Sequence, residues 1–233
     1  MRKARQLPLD LGHRQGSSRD DLVVTTANAE AVALIDRWPD WPAPVMVLAG
    51  PSGSGKTHLG EIWREVSGAA AVSPRELGEA AAAAAAAAGE GPVLVDDADS
   101  RPLDEAGLFH LINAARSAGN HLLLTSRRFP AAWGVRLPDL QSRLKAAATV
   151  EIREPDELLL TGVVTKLFAD RQVEVEPHVV SFVVRRIERS LSTAIAVVAR
   201  LDAAALEQKS RITRALAAET LGALDRRQGE LDF

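Results

Sequence analysis

The stretch VMVLAGPSGSGKTHLGEIW, residues 45–63, decides how the rest of this chain is read. Its first five residues are uniformly apolar, as in a strand buried on both faces, and glycines then crowd a short loop before helical spacing begins. Gly50 to Thr57 satisfies G-x-x-x-x-G-K-[ST] at every defined position, with the strand before it and the helix after it that the motif requires. Gly50, Gly53 and Gly55 let the backbone turn its N–H groups inward, while Pro51, Ser52 and Ser54 fill the variable positions. A helix starting near Lys56 adds its positive end, Lys56 reaches the β and γ phosphates, and Thr57 holds Mg²⁺ with His58 next to it. The expected ligand is ADP or ATP with Mg²⁺. The alternative is a glycine-rich turn carrying a solvated lysine.

Downstream, GPVLVDDAD supplies a second buried strand that delivers Asp96 and Asp97 to its carboxyl end, where open parallel sheets bind ligands. Asp96 is expected to orient Mg²⁺ and Asp97 to polarise an attacking water. Adjacent acids after a strand also serve as loop solubilisers, and only the upstream loop favours the catalytic reading. A third strand, HLLLTS, brings Thr125 or Ser126 beside the γ-phosphate as a water-positioning hydroxyl, followed by Arg127 and Arg128, which read as surface charge.

Around these strands the chain alternates with helical patterns: Ala29 to Trp38, an alanine-rich helix from Pro74, PLDEAGLFHLINAARSAGN and LPDLQSRLKAA, before a last strand, ATVEI. The run of nine alanines, Ala80 to Ala88, reads as a low-complexity surface helix. Beyond Pro155 only helices follow, over about 156–171, 177–188, 192–207 and 211–224. The expected fold class is α/β: a P-loop parallel-sheet αβα core over 21–154, a helical lid over 155–225, a flexible tail over 1–20 and a carboxyl tail over 226–233.

Composition bounds the possibilities. The 233 residues are 46% apolar and 25% charged, which suits a soluble globular protein, and the absence of cysteine excludes disulfides, thiolate metal sites and a cysteine nucleophile. No apolar run approaches the ~20 residues of a membrane span, so a cytoplasmic setting and no membrane partner are expected. The net charge of −3 is uneven. Five basic residues among the first twenty (Arg2, Lys3, Arg5, Arg14, Arg19) face only Asp10 and Asp20, so the body is acidic and poorly suited to gripping DNA directly.

Taken in order and spacing, GPSGSGKTHLGEIW, VLVDDAD, LLLTSRRFP and LPDLQSRLKAAATVEIREPDE resemble the AAA+ module of the DnaA family of bacterial replication initiators, over roughly residues 22 to 222. The resemblance implies that the helical part is a lid over the nucleotide, and that LVVTTANAEA shapes an adenine pocket through Val24 and Asn28. It aligns Arg143 with an arginine finger donated to a neighbouring molecule's ATP; the alternative is an i,i+4 partner for Asp139. Ser192 stands where the family's lid carries a phosphate-touching arginine, and Arg189, one turn earlier if that helix is continuous, is a substitute. This chain's own hydrolysis is therefore expected to be weak or absent.

Two features resemble the shortened, Hda-type members of the family, which inactivate DnaA once replication has begun. The chain is expected to lack the helix-turn-helix domain that follows the lid in DnaA, and it carries QLPLDL at residues 6–11. Gln6, Leu7, Leu9 and Leu11 resemble the peptide that docks on the DNA polymerase sliding clamp: extended backbone sends Leu9 and Leu11 to one face, Pro8 stiffens it, and residues 12–20 form a linker. The alternative is a leader whose leucines rest on the body. QGELDF has the same spacing at Gln228, Leu231 and Phe233, and also reads as an acidic tail.

The expected function is a clamp-tethered, replisome-associated regulator that stimulates ATP hydrolysis on DnaA, with DNA reached through the clamp and homo-oligomers allowed. The runner-up is a nucleotide-binding adaptor that recruits a partner to DNA without stimulating hydrolysis. A small-molecule P-loop kinase fits poorly, because the helical region follows the sheet and does not interrupt it.

Overall fold

A computed structural model describes Arg19, residues 22–74, Leu77 and residues 81–229, the side chains of 81–85 and 224–229 excepted. Gln6, Leu7, Leu9 and Leu11 lie outside the described residues, as do Leu231 and Phe233. Arg19, expected within the linker, instead forms a two-point ion pair with Asp36, Nη2 to Oδ2 at 2.6 Å and Nε to Oδ1 at 2.7 Å.

Five parallel strands make one sheet: β1 (Val45–Ala49), β2 (Ala70–Val72), β3 (Val93–Val95), β4 (Leu122–Ser126) and β5 (Ala148–Glu151), in the order β2-β3-β4-β1-β5. Every residue of β1, β3 and β4 is buried. Successive side chains alternate between faces. Val45, Val47, Val93, Val95, Leu122 and Leu124 share a core with α4 (Glu105–Ala118) and α5 (Pro138–Lys145), while Met46, Leu48, Leu94 and Leu123 pack with α1 (Ala29–Asp36) and α2 (Lys56–Ser67). The continuous apolar runs of the sequence are thus the consequence of helices on both sides.

Four strands were legible, and β2 is a fifth: its Ala-Ala-Val sequence, partly exposed at the sheet edge, has neither alternation nor an apolar run to mark it. The alanine helix α3 (Ala81–Glu90) is not merely a surface element. It lies against α4, Ala88 is fully buried, and Asn120 donates Nδ2–H to the Ala88 carbonyl at 2.9 Å.

Beyond the sheet, α6 (Glu157–Asp170), α7 (Pro177–Val184), α8 (Leu191–Gln208) and α9 (Arg214–Gly229) surround a second hydrophobic core, from Leu160 to Leu221. Asp156 caps α6 by accepting from the Leu159 N–H at 2.7 Å. The expected helix over 177–188 stops at Val184. Ser190 then takes an extended conformation and caps a new helix, accepting from the Thr193 N–H at 3.3 Å. At the end of the sheet where β1 and β4 begin, Trp41 stacks on Trp63 with ring centroids 5.1 Å apart, and His121 meets Trp41 edge-on. Burial lowers the His121 pKa.

Candidate nucleotide site

The carboxyl ends of β1, β3 and β4 lie side by side, so Gly50, Asp96 and Arg127 follow strands in hydrogen-bonded register. The Gly50 N–H bonds the Ser126 carbonyl at 3.1 Å, which starts the loop beside β4. A Cβ on Gly50 would stand 2.2 Å from the Ile152 carbonyl oxygen, so no other residue fits between β1 and the end of β5. Gly53 has φ of +71°, a conformation natural to glycine, and a Cβ there would lie 2.0 Å from Ser190 Oγ. The loop is thus closed from the other side by the lid: the Leu191 N–H, in the first turn of α8, donates to the Gly53 carbonyl at 2.8 Å.

Inside this loop, Lys56 is buried and its Nζ donates to the Pro51 carbonyl at 2.8 Å. Burial depresses its pKa below the ordinary lysine value, with Asp97 and Asp96 pulling the other way. Ser54 Oγ is buried with no hydrogen-bond partner. Thr57 is exposed at the start of α2 and its hydroxyl donates to Asp96, at 3.0 Å to Oδ2. A glycine loop opening a helix, a lysine held at that loop and an orphan hydroxyl form a cradle that fits a polyphosphate. Thr57 and Asp96 together fit Mg²⁺, which uses one or two protein oxygens and keeps several waters. Among the described residues no group of three His, Cys, Asp or Glu side chains forms a dedicated metal cage.

The acidic strand end is wired by Thr125. Its hydroxyl donates to Asp96 Oδ1 and accepts the Asp97 N–H at 2.8 Å, and the side chain is almost fully buried. Thr125 therefore orients the two acids, and its hydroxyl is not free to position a water as the sequence reading expected. Ser126 is likewise corrected: it is 0% exposed and donates to the Arg128 carbonyl at 2.8 Å, fixing the turn after β4. Asp97 sits at φ +56° with both carboxylate oxygens on Arg127, Oδ2 to Nη2 at 3.0 Å and Oδ1 to Nε at 3.3 Å. The Arg127 pairing was not legible in the sequence, since it joins residues thirty positions apart.

Of the residues expected to touch the base, Val24 is 46% exposed. Asn28 is not available: its Oδ1 accepts the Thr25 N–H at 2.8 Å and its Nδ2 donates to the Val23 carbonyl at 2.9 Å. It shapes the 23–28 turn. His58 is half-buried in the first turn of α2, while Pro51 and Ser52 are exposed on the loop.

In the lid, Ser192 bonds the Ser190 hydroxyl at 2.7 Å, and a Cβ on Gly53 would come within 3.1 Å of Ser192 Oγ. The position aligned with the lid arginine is thus beside the phosphate loop, but with a hydroxyl in place of a guanidinium. Arg189 is not its substitute along a continuous helix, because Ser190 starts α8 afresh and Arg189 lies exposed in the preceding turn. Changing Gly53 to Ala tests the lid contact. The left-handed conformation costs about 1–2 kcal/mol for a residue with a Cβ, and the clash displaces Ser190. We expect a melting temperature lower by roughly 2–8 °C and weaker nucleotide binding in the same titration; an unaltered melt overturns the lid contact.

Arg143 stands on α5. Glu105 fixes the approach to that helix by accepting the Arg136 N–H at 2.9 Å and the Leu137 N–H at 2.7 Å, bonds that lower its pKa. Pro138 opens the helix, and Leu140 and Leu144, four apart, anchor it in the core. Arg143 is left half-buried beside that anchor, with no side-chain hydrogen bond or ion pair among the described residues; the alternative pairing with Asp139 is not formed.

Comparison with known proteins places the fold. Residues 165–221 match the family model for the Hda lid domain. An uncharacterised protein of Haemophilus influenzae is 27% identical over 110 residues, 47% of this chain and 48% of the relative, so the match spans about half of each. Domain III of the Thermotoga maritima replication initiation protein DnaA aligns with a TM-score of 0.76 at 16% identity, over 94% of this chain and 98% of that one. AMPPCP-bound DnaA from Aquifex aeolicus aligns at 0.67 and 16% identity, over 78% and 64%. The Thermotoga maritima RuvB Holliday junction branch migration motor gives 0.70 and 17%, over 89% and 72%. What this chain shares with domain III of the Thermotoga maritima DnaA is the fold of a parallel five-stranded sheet flanked by helices, followed by a helical region whose residues 165–221 match the Hda lid model.

Proposed function

We propose that this chain, an Hda/DnaA-like AAA+ protein, is a clamp-tethered regulator that binds an adenine nucleotide and stimulates ATP hydrolysis on the replication initiator DnaA. The observation that carries the reading is Arg143: a cation on a helix anchored by buried Leu140 and Leu144, and spent on no partner among the described residues. Single-sided anchoring of α5 by Leu140 and Leu144 leaves the guanidinium for a surface outside the chain.

Bound nucleotide would supply the phosphate charge that orders the loop and the lid against each other. Lys56 would exchange the Pro51 carbonyl for phosphate oxygens, the loop N–H groups would take the remaining ones, and Thr57 with Asp96 would hold Mg²⁺. Ser190 and Leu191 tie the lid to the loop at Gly53, so the lid's position answers to what the loop holds. With a hydroxyl at Ser192, this chain's nucleotide serves best as a structural ligand that keeps core and lid in one arrangement. In that arrangement Arg143 meets a neighbouring DnaA-bound ATP, where a guanidinium offsets charge developing on the γ-phosphoryl as it leaves.

Gln6, Leu9 and Leu11, in the residues outside the description, provide the tether. A short linker to a clamp already on DNA gives an effective concentration near millimolar. With purified DnaA-ATP, clamp and DNA, adding this chain should accelerate phosphate release; clamp binding with unchanged release would favour the adaptor. Replacing Gln6 and Leu9 by Ala should remove the acceleration and leave ADP affinity as it was, and equal acceleration by that variant refutes the docking role.

A further inference from the structure

We propose that Arg127 is a positioning residue that restrains this chain's own hydrolysis by holding Asp97, an inference that rests on reading Asp97 as the acceptor of the attacking water's proton. Five hydrogen bonds build the restraint. Asp99, with its side chain buried, accepts the Arg127 backbone N–H at 3.0 Å and pairs with Arg128 at 3.1 Å, which fixes the main chain after β4. From that fixed point the Arg127 guanidinium reaches back over the strand end and engages both Asp97 oxygens. The Asp97 backbone, in the left-handed region with its N–H on Thr125, fixes the point from which its carboxylate meets Arg127.

Hydrolysis requires the water oxygen to bond the γ-phosphorus while the bond to the β–γ bridging oxygen breaks and ADP leaves with that electron pair; the water's proton passes to a carboxylate. A carboxylate accepting two guanidinium bonds has about half of its lone-pair sites occupied and its orientation set by the guanidinium, so it must release Arg127 to turn fully to that water. Arg127 therefore lowers the fraction of molecules in which Asp97 is free. The pair is open to solvent, with side chains 61% and 41% exposed, so the restraint is mild. The upper end for exposed pairs corresponds to about fivefold in occupancy.

The test uses the full chain. Arg127→Gln should raise its intrinsic phosphate release at saturating ATP and Mg²⁺ about fivefold, with the affinity for a fluorescent ADP analogue unchanged. Asp97→Asn in the same background should remove the gain. Independently of activity, urea-unfolding midpoints of nucleotide-free Arg127→Gln, Asp97→Asn and the double variant should be non-additive, as for residues in contact. An unchanged or slower release, a gain that survives Asp97→Asn, or additive midpoints overturns the restraint. If the unaltered chain binds no ADP analogue, the nucleotide reading beneath the proposal fails with it; if it binds and release does not rise, only the restraint fails.

Discussion

Replacing Arg143 with Ala is expected to lower DnaA-bound ATP hydrolysis, measured as phosphate release in the presence of clamp and DNA, by about a thousandfold or more from its stimulated rate. The magnitude follows from what a finger does. It places a planar cation against charge that exists in full only in the transition state, in a site that excludes water. Because Arg143 has no internal partner among the described residues, its removal costs the fold little. Melting temperature and ADP affinity of the variant should match those of the unaltered chain. Lys in its place keeps the charge but loses the two-point fork, and should recover only a small part of the rate. Stimulation retained by Arg143→Ala would remove the central element of the proposed mechanism and leave the adaptor reading.

The second large effect belongs to Lys56. Its ammonium is buried, donates to the Pro51 carbonyl, and has a pKa lowered by burial. A desolvated cation of this kind gains strongly when phosphate oxygens arrive, since charged hydrogen bonds contribute about 1.5–3 kcal/mol. Lys56→Ala is therefore expected to weaken ADP binding by roughly tenfold to a hundredfold in a fluorescence titration. If binding declines, stimulation of DnaA should decline with it, because the lid contact at Gly53 loses the ligand that keeps core and lid together. An affinity within twofold of the unaltered chain would show that nucleotide does not occupy this loop.

The two effects separate the parts of the site. Lys56→Ala strikes the nucleotide that this chain holds, whereas Arg143→Ala leaves it bound and strikes only the partner's reaction. A chain that lost both activities on Lys56→Ala but only stimulation on Arg143→Ala would behave as the geometry requires.

Sequence by itself determined the phosphate loop, the acidic strand end and the α/β-then-helical organisation, because each is written in neighbouring residues. Gly50 to Thr57 is a local backbone requirement, and the apolar runs at Val45 and Leu122 reflect burial on both faces. Tertiary structure decided what required residues far apart to meet. β2 is an alanine-rich edge whose strand character comes from pairing with β3. Asn28 turns inward onto Val23 and Thr25, Thr125 gives its hydroxyl to Asp96, and Arg127 covers Asp97. Arg189 is separated from α8 by the cap at Ser190. In each case the residue type was readable, but the partner taking its hydrogen bond was set by packing across the sheet or between core and lid, and a hydrogen bond has no local signature when its two ends lie many residues apart.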